Sequence, residues 1–243
     1  MTRIAASFAT VLFAACATTL QDEARRAAET GIDPAPLVAE LQTRYAEIDA
    51  TKRIFSVTLI EGRRRFAGDG AIEYRADPKT LKADVFGPHD TPVVHVRLAG
   101  EMLTVRLPQE GEILTGQLGD PKFAALTGER ALASPEVLGA VLGAYDVDRL
   151  TRNAEWTAAF EEGERNTLYI ANAGTIHALT VERNSSRLVE YRQERGGRLI
   201  YRVRFSDFQP VDERHTPRKV VLRDYVKERQ LVFNVRKEER LSV

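Results

Sequence analysis

The 243 residues carry 35 basic and 35 acidic side chains, a balance that argues against a nucleic-acid partner, whose domains show a basic excess or patch. Hydrophobic residues at 43% and charged residues at 29% are ordinary for a globular body large enough to form one sizeable domain. Cys16 is the one cysteine, so no intramolecular disulfide can form and packing has to hold the fold.

Arg3 supplies a short basic start, Ile4 to Ala15 an apolar run, and Ala14-Ala15 the small residues that precede a signal-peptidase cut. The run is shorter than the roughly 20 apolar residues a spanning helix needs, so it reads as a secretion signal and not a permanent anchor. The order Leu12-Phe13-Ala14-Ala15-Cys16 resembles the lipobox of bacterial lipoproteins, with Phe13 standing where leucine is usual. That resemblance implies residues 1–15 as a cleaved lipoprotein signal peptide and Cys16 as the lipidated mature N-terminus. Two or more acyl chains, at about 0.8 kcal/mol per buried methylene, would attach the body stably to a membrane. Ala17 replaces the aspartate that retains lipoproteins in the inner membrane of enteric bacteria, so by analogy the destination is the periplasmic face of the outer membrane.

Residues 16–33 are expected to form a tether and a helix ("LQDEARRAAETG", 20–31). Residues 34–243 are expected to form a single domain that opens with a second helix, 34–49, placing Leu37, Leu41, Tyr45 and Ile48 at helical spacing. From residue 53 the period falls to two. Phe55, Val57 and Leu59 share one face of "RIFSVTLIEG", and Val94, Val96 and Leu98 one face of "VVHVRLAG", with turns at Gly100 and Gly111. A helical interlude follows over 121–144, in which Ser134-Pro135-Glu136 reads as a cap and first turn and Leu138, Val141 and Leu142 form an apolar face. Strands then resume to the C-terminus, joined by hairpin chemistry at Asn172-Ala173-Gly174, Asn184-Ser185-Ser186 and Gly196-Gly197. About a dozen strands result, with no internal repeat or linker.

In these later strands Leu199, Tyr201, Val203 and Phe205 alternate with arginines, and Leu231, Phe233 and Val235 do likewise. A long antiparallel sheet with one apolar and one charged face curls around its apolar side and hides it. The expected fold is therefore mainly β with a few helices: an incomplete antiparallel barrel whose apolar concave face is covered by the N-terminal helices and the interlude. The expected ligand-binding set is Phe55, Val57, Leu59, Val94, Val96, Leu98, Leu138, Val141, Leu142, Leu199, Tyr201, Val203, Phe205, Leu231, Phe233 and Val235. The competing expectation is that these side chains fill a dry core.

The lipobox, the helix around "LVAELQTRYAEI", the strand "RFAGDGAIEYR", the stretch from "LKADVFGP" to "EMLTV", and "FAALTGERALASPEVLGAVLGAYD" followed by paired strands together resemble the LolB/LolA group of lipoprotein carriers, LolB more closely. The resemblance spans nearly the whole mature chain and is most specific at Leu126-Thr127-Gly128 and the helix after it. It implies a hydrophobic cavity for the acyl chains of lipoproteins or lipids, a monomer, a periplasmic LolA-like carrier as partner, and no cofactor. LolB also uses an exposed leucine on a loop after an early strand to deliver cargo. The corresponding stretch here, Gly87 to Pro92, has none, and its prolines and Asp90 read as a stiff, solvated turn, so insertion of cargo into a membrane is expected to be weak.

Catalytic chemistry finds little support. No nucleophile elbow, zinc helix motif, phosphate-binding glycine loop or paired-cysteine motif occurs. The histidines at 89, 95, 177 and 215 lack ligand spacing, and the adjacent pairs Glu161-Glu162 and Glu238-Glu239 point to opposite faces of a strand. The chain is not expected to be an enzyme. The alternative to a carrier is an envelope lipoprotein that holds a protein or polymer partner without moving acyl chains.

Overall fold

Two runs of antiparallel strands meet along a central seam. The structure, a computed structural model, describes residues 19–241 apart from 47, 49, 77, 78, 119, 127, 144, 153, 212 and 213, so the signal segment and Cys16 lie outside the described residues. The first run is β1 (Thr51–Glu61), β2 (Arg64–Arg75), β3 (Thr80–Phe86), β4 (Pro92–Ala99), β5 (Met102–Leu107) and β6 (Glu112–Gln117). The second is β7 (Trp156–Glu162), β8 (Arg165–Asn172), β9 (Thr175–Glu182), β10 (Leu188–Arg195), β11 (Arg198–Val211), β12 (Arg214–Asp224) and β13 (Arg229–Arg240). β1 pairs with β13, giving one 13-stranded sheet with β6 and β7 at its free edges. It is open, as expected of an incomplete barrel.

This order explains the interlude. After β6 the chain stands at one edge and has to reach β7 at the other, so residues 118–155 must traverse the inner face. They do so as α3 (Pro121–Ala124), a 3₁₀ turn (Gly128–Ala133), α4 (Pro135–Leu142) and α5 (Val147–Thr151), the last not anticipated from the sequence. Ser134 caps α4, its hydroxyl accepting from the Val137 amide at 3.4 Å, and Gly143 closes the helix in the left-handed conformation at φ +69. Phe123, Leu126, Leu132, Val137, Leu138, Val141 and Leu142 are all buried against the sheet.

The two N-terminal helices part company. α2 (Ala35–Ala46) buries Leu37 and Leu41 in the inner core. α1 (Leu20–Glu29) packs on the opposite, outer face, with Leu20, Ala24 and Ala27 against Ala158, Tyr169 and Ala178, so it does not cover the concave side as expected. Polar contacts explain its position. Glu194 accepts from the Leu20 and Gln21 amides at 2.7 and 3.3 Å, placing a carboxylate at the helix N-terminus, and Arg192 grips Glu23 at 2.8 and 3.1 Å.

The period-two expectation holds for nearly every strand residue named for the inner face: Phe55, Val57, Leu59, Val94, Val96, Leu98, Tyr201, Val203, Phe205, Leu231, Phe233 and Val235 all belong to the inner core. Leu199 is a correction. Between the pairs Gln193↔Tyr201 and Glu194↔Leu199 the register slips, so Ile200 is a bulge residue. One extra residue reverses the phase, turning Ile200 to the inner core and Leu199 to the outer cluster beneath α1.

Candidate functional site

The inner face is closed in its middle and open toward its ends. Phe55 and Phe233 meet edge to face with centroids 5.6 Å apart, and Phe55, Val57, Val94, Val96, Val203, Leu231 and Phe233 are each at most 2% exposed. These residues, with Val141, Tyr201, Phe205 and Val235, pack against one another and do not line the cavities described next.

The antiparallel register collects the turns at 62–63, 87–91, 108–111, 173–174, 196–197 and 225–228 at one end, the near end; the turns at Gly100-Glu101 and Gly163-Glu164 lie at the far end. At the near end a cavity of about 290 Å³ opens between the β1–β2 hairpin, the end of β5 and the 3₁₀ turn of the interlude. Leu59, Phe66, Val93 and Leu107 supply its apolar wall, while Arg64, Arg65, Arg130, Glu61, Glu110 and Glu129 form a charged rim. Arg130 is paired to Glu112 and stands 3.5 Å from Glu110, which ties the interlude to β6 and its turn. The volume is near the lower end of the range for small-molecule pockets.

Two smaller cavities lie at the far end. One of about 80 Å³ runs beside α4, lined by Leu98, Leu138, Leu142, Leu81 and Tyr74; the other, about 60 Å³, is lined by Leu41, Ile48, Leu188 and Phe208. Tyr45 and Tyr145 border both. Tyr145 stacks on Tyr191 at 3.9 Å, and the Tyr45 and Tyr74 hydroxyls lie 3.0 Å apart, burial and that partner pushing the Tyr45 phenol up from its ordinary value. Of the expected binding set, Leu59 borders the near cavity and Leu98, Leu138 and Leu142 a far one.

The features that sequence reasoning missed are two buried ion pairs that bolt the interlude to the sheet. Arg53 and its cross-strand partner Glu238 lie 2.9 Å apart with side chains 2% and 0% exposed, and Arg53 also donates to the Val141 carbonyl of α4 at 2.8 Å. Burial pushes the Arg53 guanidinium below its ordinary value, and Glu238 opposes that shift. Asp224 and Arg229, likewise opposite in register, lie 2.9 Å apart, and Arg229 donates to the Leu126 carbonyl at 3.0 Å. Lys227 donates to the same carbonyl at 2.7 Å.

Of the 86–92 loop, residues 88–92 are exposed as expected, while Phe86 and Gly87 are half-buried. Pro88–Asp90 form a 3₁₀ turn with His89 and Asp90 at φ +58 and +56, and the Thr91 hydroxyl donates to the Pro88 carbonyl at 2.9 Å. His95 pairs with Asp84 at 2.6 Å on β4 and β3, while His177 meets the Tyr191 hydroxyl at 2.9 Å on β9 and β10, so the two serve separate strand pairs. Among the described residues no group of three or more His, Cys, Asp and Glu side chains is arranged to hold a metal ion.

No protein-family model matches the sequence, and no curated protein matches it. Solved structures do match. A LolA-superfamily protein from Nitrosomonas europaea superposes with a TM-score of 0.62 at 12% identity, covering 87% of this chain and 95% of that one. A putative outer membrane lipoprotein-sorting protein domain from Vibrio parahaemolyticus gives 0.64 at 9%, covering 83% and 91%. A DUF1329-family protein from Desulfovibrio piger gives 0.64 at 15%, covering 86% and 94%. At these identities the likeness establishes the shared fold.

Proposed function

We propose that this chain is a LolB-like envelope lipoprotein that takes acyl chains of lipoproteins or lipids onto the apolar inner face beneath the interlude. The observation that carries this reading is the near-end cavity, whose apolar wall of Leu59, Phe66, Val93 and Leu107 is continuous with the inner core and opens between the sheet and the interlude. Its fold neighbours include a lipoprotein-sorting domain, which supports the same cargo class. An acyl chain leaving a bilayer for this face exchanges one apolar environment for another, so the hydrophobic term nearly cancels and transfer needs no nucleotide. Relative affinity sets the direction. Lipidation at Cys16, attachment to the periplasmic face of the outer membrane and receipt of cargo from a periplasmic LolA-like carrier belong to this proposal.

The test is native mass spectrometry of the Cys16→Ser protein after mild extraction. Co-purifying lipid or acylated peptide is the expected result. A reproducibly empty protein would sink the carrier reading in favour of a binding or scaffold role. Delivery is tested by complementation in cells depleted of their own LolB, where the unmodified chain should rescue poorly and His89→Leu better. Full rescue by the unmodified chain would show that the leucine-free 87–92 loop does not limit insertion.

A further inference from the structure

The near end carries a second feature that the cavity does not explain. The order β2-β1-β13-β12-β11-β10 places the hairpin turns at 62–63, 225–228 and 196–197 side by side, about 10 Å apart at the usual strand spacing. We propose that these hairpins form a face that lies against an anionic lipid bilayer, Tyr225 and Val226 entering it and the flanking arginines contacting lipid phosphates.

Charge is the first support. Arg63, Arg64 and Arg65 on one outer hairpin and Arg195 and Arg198 on the other are all exposed, and none forms an ion pair among the described residues. Arg195 donates only to the neutral Thr175 hydroxyl at 3.1 Å. Against them stand Glu61 and Glu228, with Glu110 and Glu129 on the cavity rim beside Arg64 and Arg65, where Glu110 stands 3.5 Å from Arg130; Asp90 and Glu112 lie farther off, by the β3–β4 and β5–β6 turns. On the three central hairpins the exposed Arg63, Arg64, Arg65, Arg195 and Arg198 thus outnumber Glu61 and Glu228, in a chain with no net charge.

Between the arginine hairpins, Tyr225 and Val226 are 42% and 64% exposed, and they are held in place. Asp224, fixed by its buried pair with Arg229, accepts from the Val226 and Lys227 amides at 3.0 Å each. A pre-ordered apolar tip spends little conformational entropy on entering an apolar medium. Tyrosine beside arginine also suits the headgroup level of a bilayer.

The N-terminus supplies the third support. Leu20 is bonded to Glu194 beside the 196–197 turn, so the start of α1 lies at this same end. Cys16 stands three residues before Thr19, a reach of at most about 10 Å. If Cys16 is the anchor, which rests on the function proposed above, the near end is held at the membrane. Arg64 and Arg65 also line the cavity rim, so the mouth would open onto lipid headgroups and cargo would not cross water.

Flotation with vesicles tests the face without the anchor, using the mature chain carrying Cys16→Ser. Vesicles of phosphatidylcholine with phosphatidylglycerol should bind it, those of phosphatidylcholine alone should bind it much less, and added salt should release it. Replacing Arg63, Arg64 and Arg65 together by Gln should weaken binding about a hundredfold, at about fivefold per cation. Tyr225→Ser with Val226→Ser should weaken it about tenfold and leave the salt dependence unchanged. Arg165→Gln, at the far end, should do neither. Equal binding to both vesicle types, or hairpin variants that bind like the parent, would overturn the proposal. Vesicle binding by a protein that carries no lipid would remove the carrier function and leave this face standing; lipid-loaded protein that ignores vesicles would do the reverse.

Discussion

At the scale of single residues, the pair Arg53 and Glu238 sets the largest expected energies. Removing one partner of a buried pair strands the other charge in a poorly solvated site, a cost of about 3–5 kcal/mol, whereas replacing both by apolar groups is often neutral. Glu238→Gln should therefore lower unfolding free energy by roughly that amount in urea titrations, and Arg53→Met with Glu238→Leu should recover most of the loss. A double variant as unstable as the single would show that the pair stabilises the fold in its own right. His177 gives a pH signature. Burial first, then Arg149 on α5 and Arg195 on β10, lower its pKa from 6.5 to about 4. Above pH 6.5 both folded and unfolded chains hold it neutral; on acidification the unfolded chain takes up a proton that the folded chain refuses. Stability from this group is thus complete above 6.5, falls by at most about 3 kcal/mol toward pH 4, and levels off below. His177→Gln should flatten that part of the stability curve, and an unchanged difference between pH 7 and pH 4 would contradict the assignment.

At the scale of elements, alternation made the fold class and most of the inner face legible, because a strand with one buried face repeats its side chains every two residues. It failed where a bulge reversed the phase. Ile200 sends Leu199 outward, and a second slip in β13, where Ile54 pairs with Lys237 and Phe55 with Val235, leaves Arg236 as the extra residue and turns Glu238 inward. Arg53 was readable, since it is in phase with Phe55, Val57 and Leu59; its partner was not, since the slip has no marker in "NVRKEE". Which helix takes which face also depends on strand order, which local pattern does not encode. The C-terminus of α4 shows how tightly the interlude is fitted. A Cβ on Gly143 would lie 3.0 Å from Arg53 Nη1 and 3.1 Å from Pro217 Cγ, at φ +69. Gly143→Ala should cost about 2 kcal/mol, combining left-handed strain with displacement of the arginine. A thermal midpoint within a degree or so of the parent's would mean that this end of the interlude yields freely.

At the scale of the whole molecule, the closed core and the proposed cargo compete for one surface. Phe55, Val57, Val96 and Leu231 already contact the interlude-covered core, so an acyl chain longer than the end cavities can hold must displace α4 or its neighbours from the sheet. The closed form is then the resting state, and the apparent affinity for cargo is the intrinsic affinity reduced by the fraction of molecules with the interlude raised. That coupling has an unusual sign. Loosening the bolt at Arg53 and Glu238 destabilises the fold, yet it should strengthen binding, because less energy is needed to open the inner face. Each 1.4 kcal/mol taken from the closed state should tighten a fluorescent fatty-acid probe about tenfold, up to the point where the open form predominates. Glu238→Gln should therefore show lower stability and higher probe affinity together, and the probe should speed hydrogen exchange in residues 135–142 while β1 and β13 stay protected. Probe affinity that falls along with stability, or an α4 more protected when the probe is bound, would mean that the ligand does not enter by lifting the interlude.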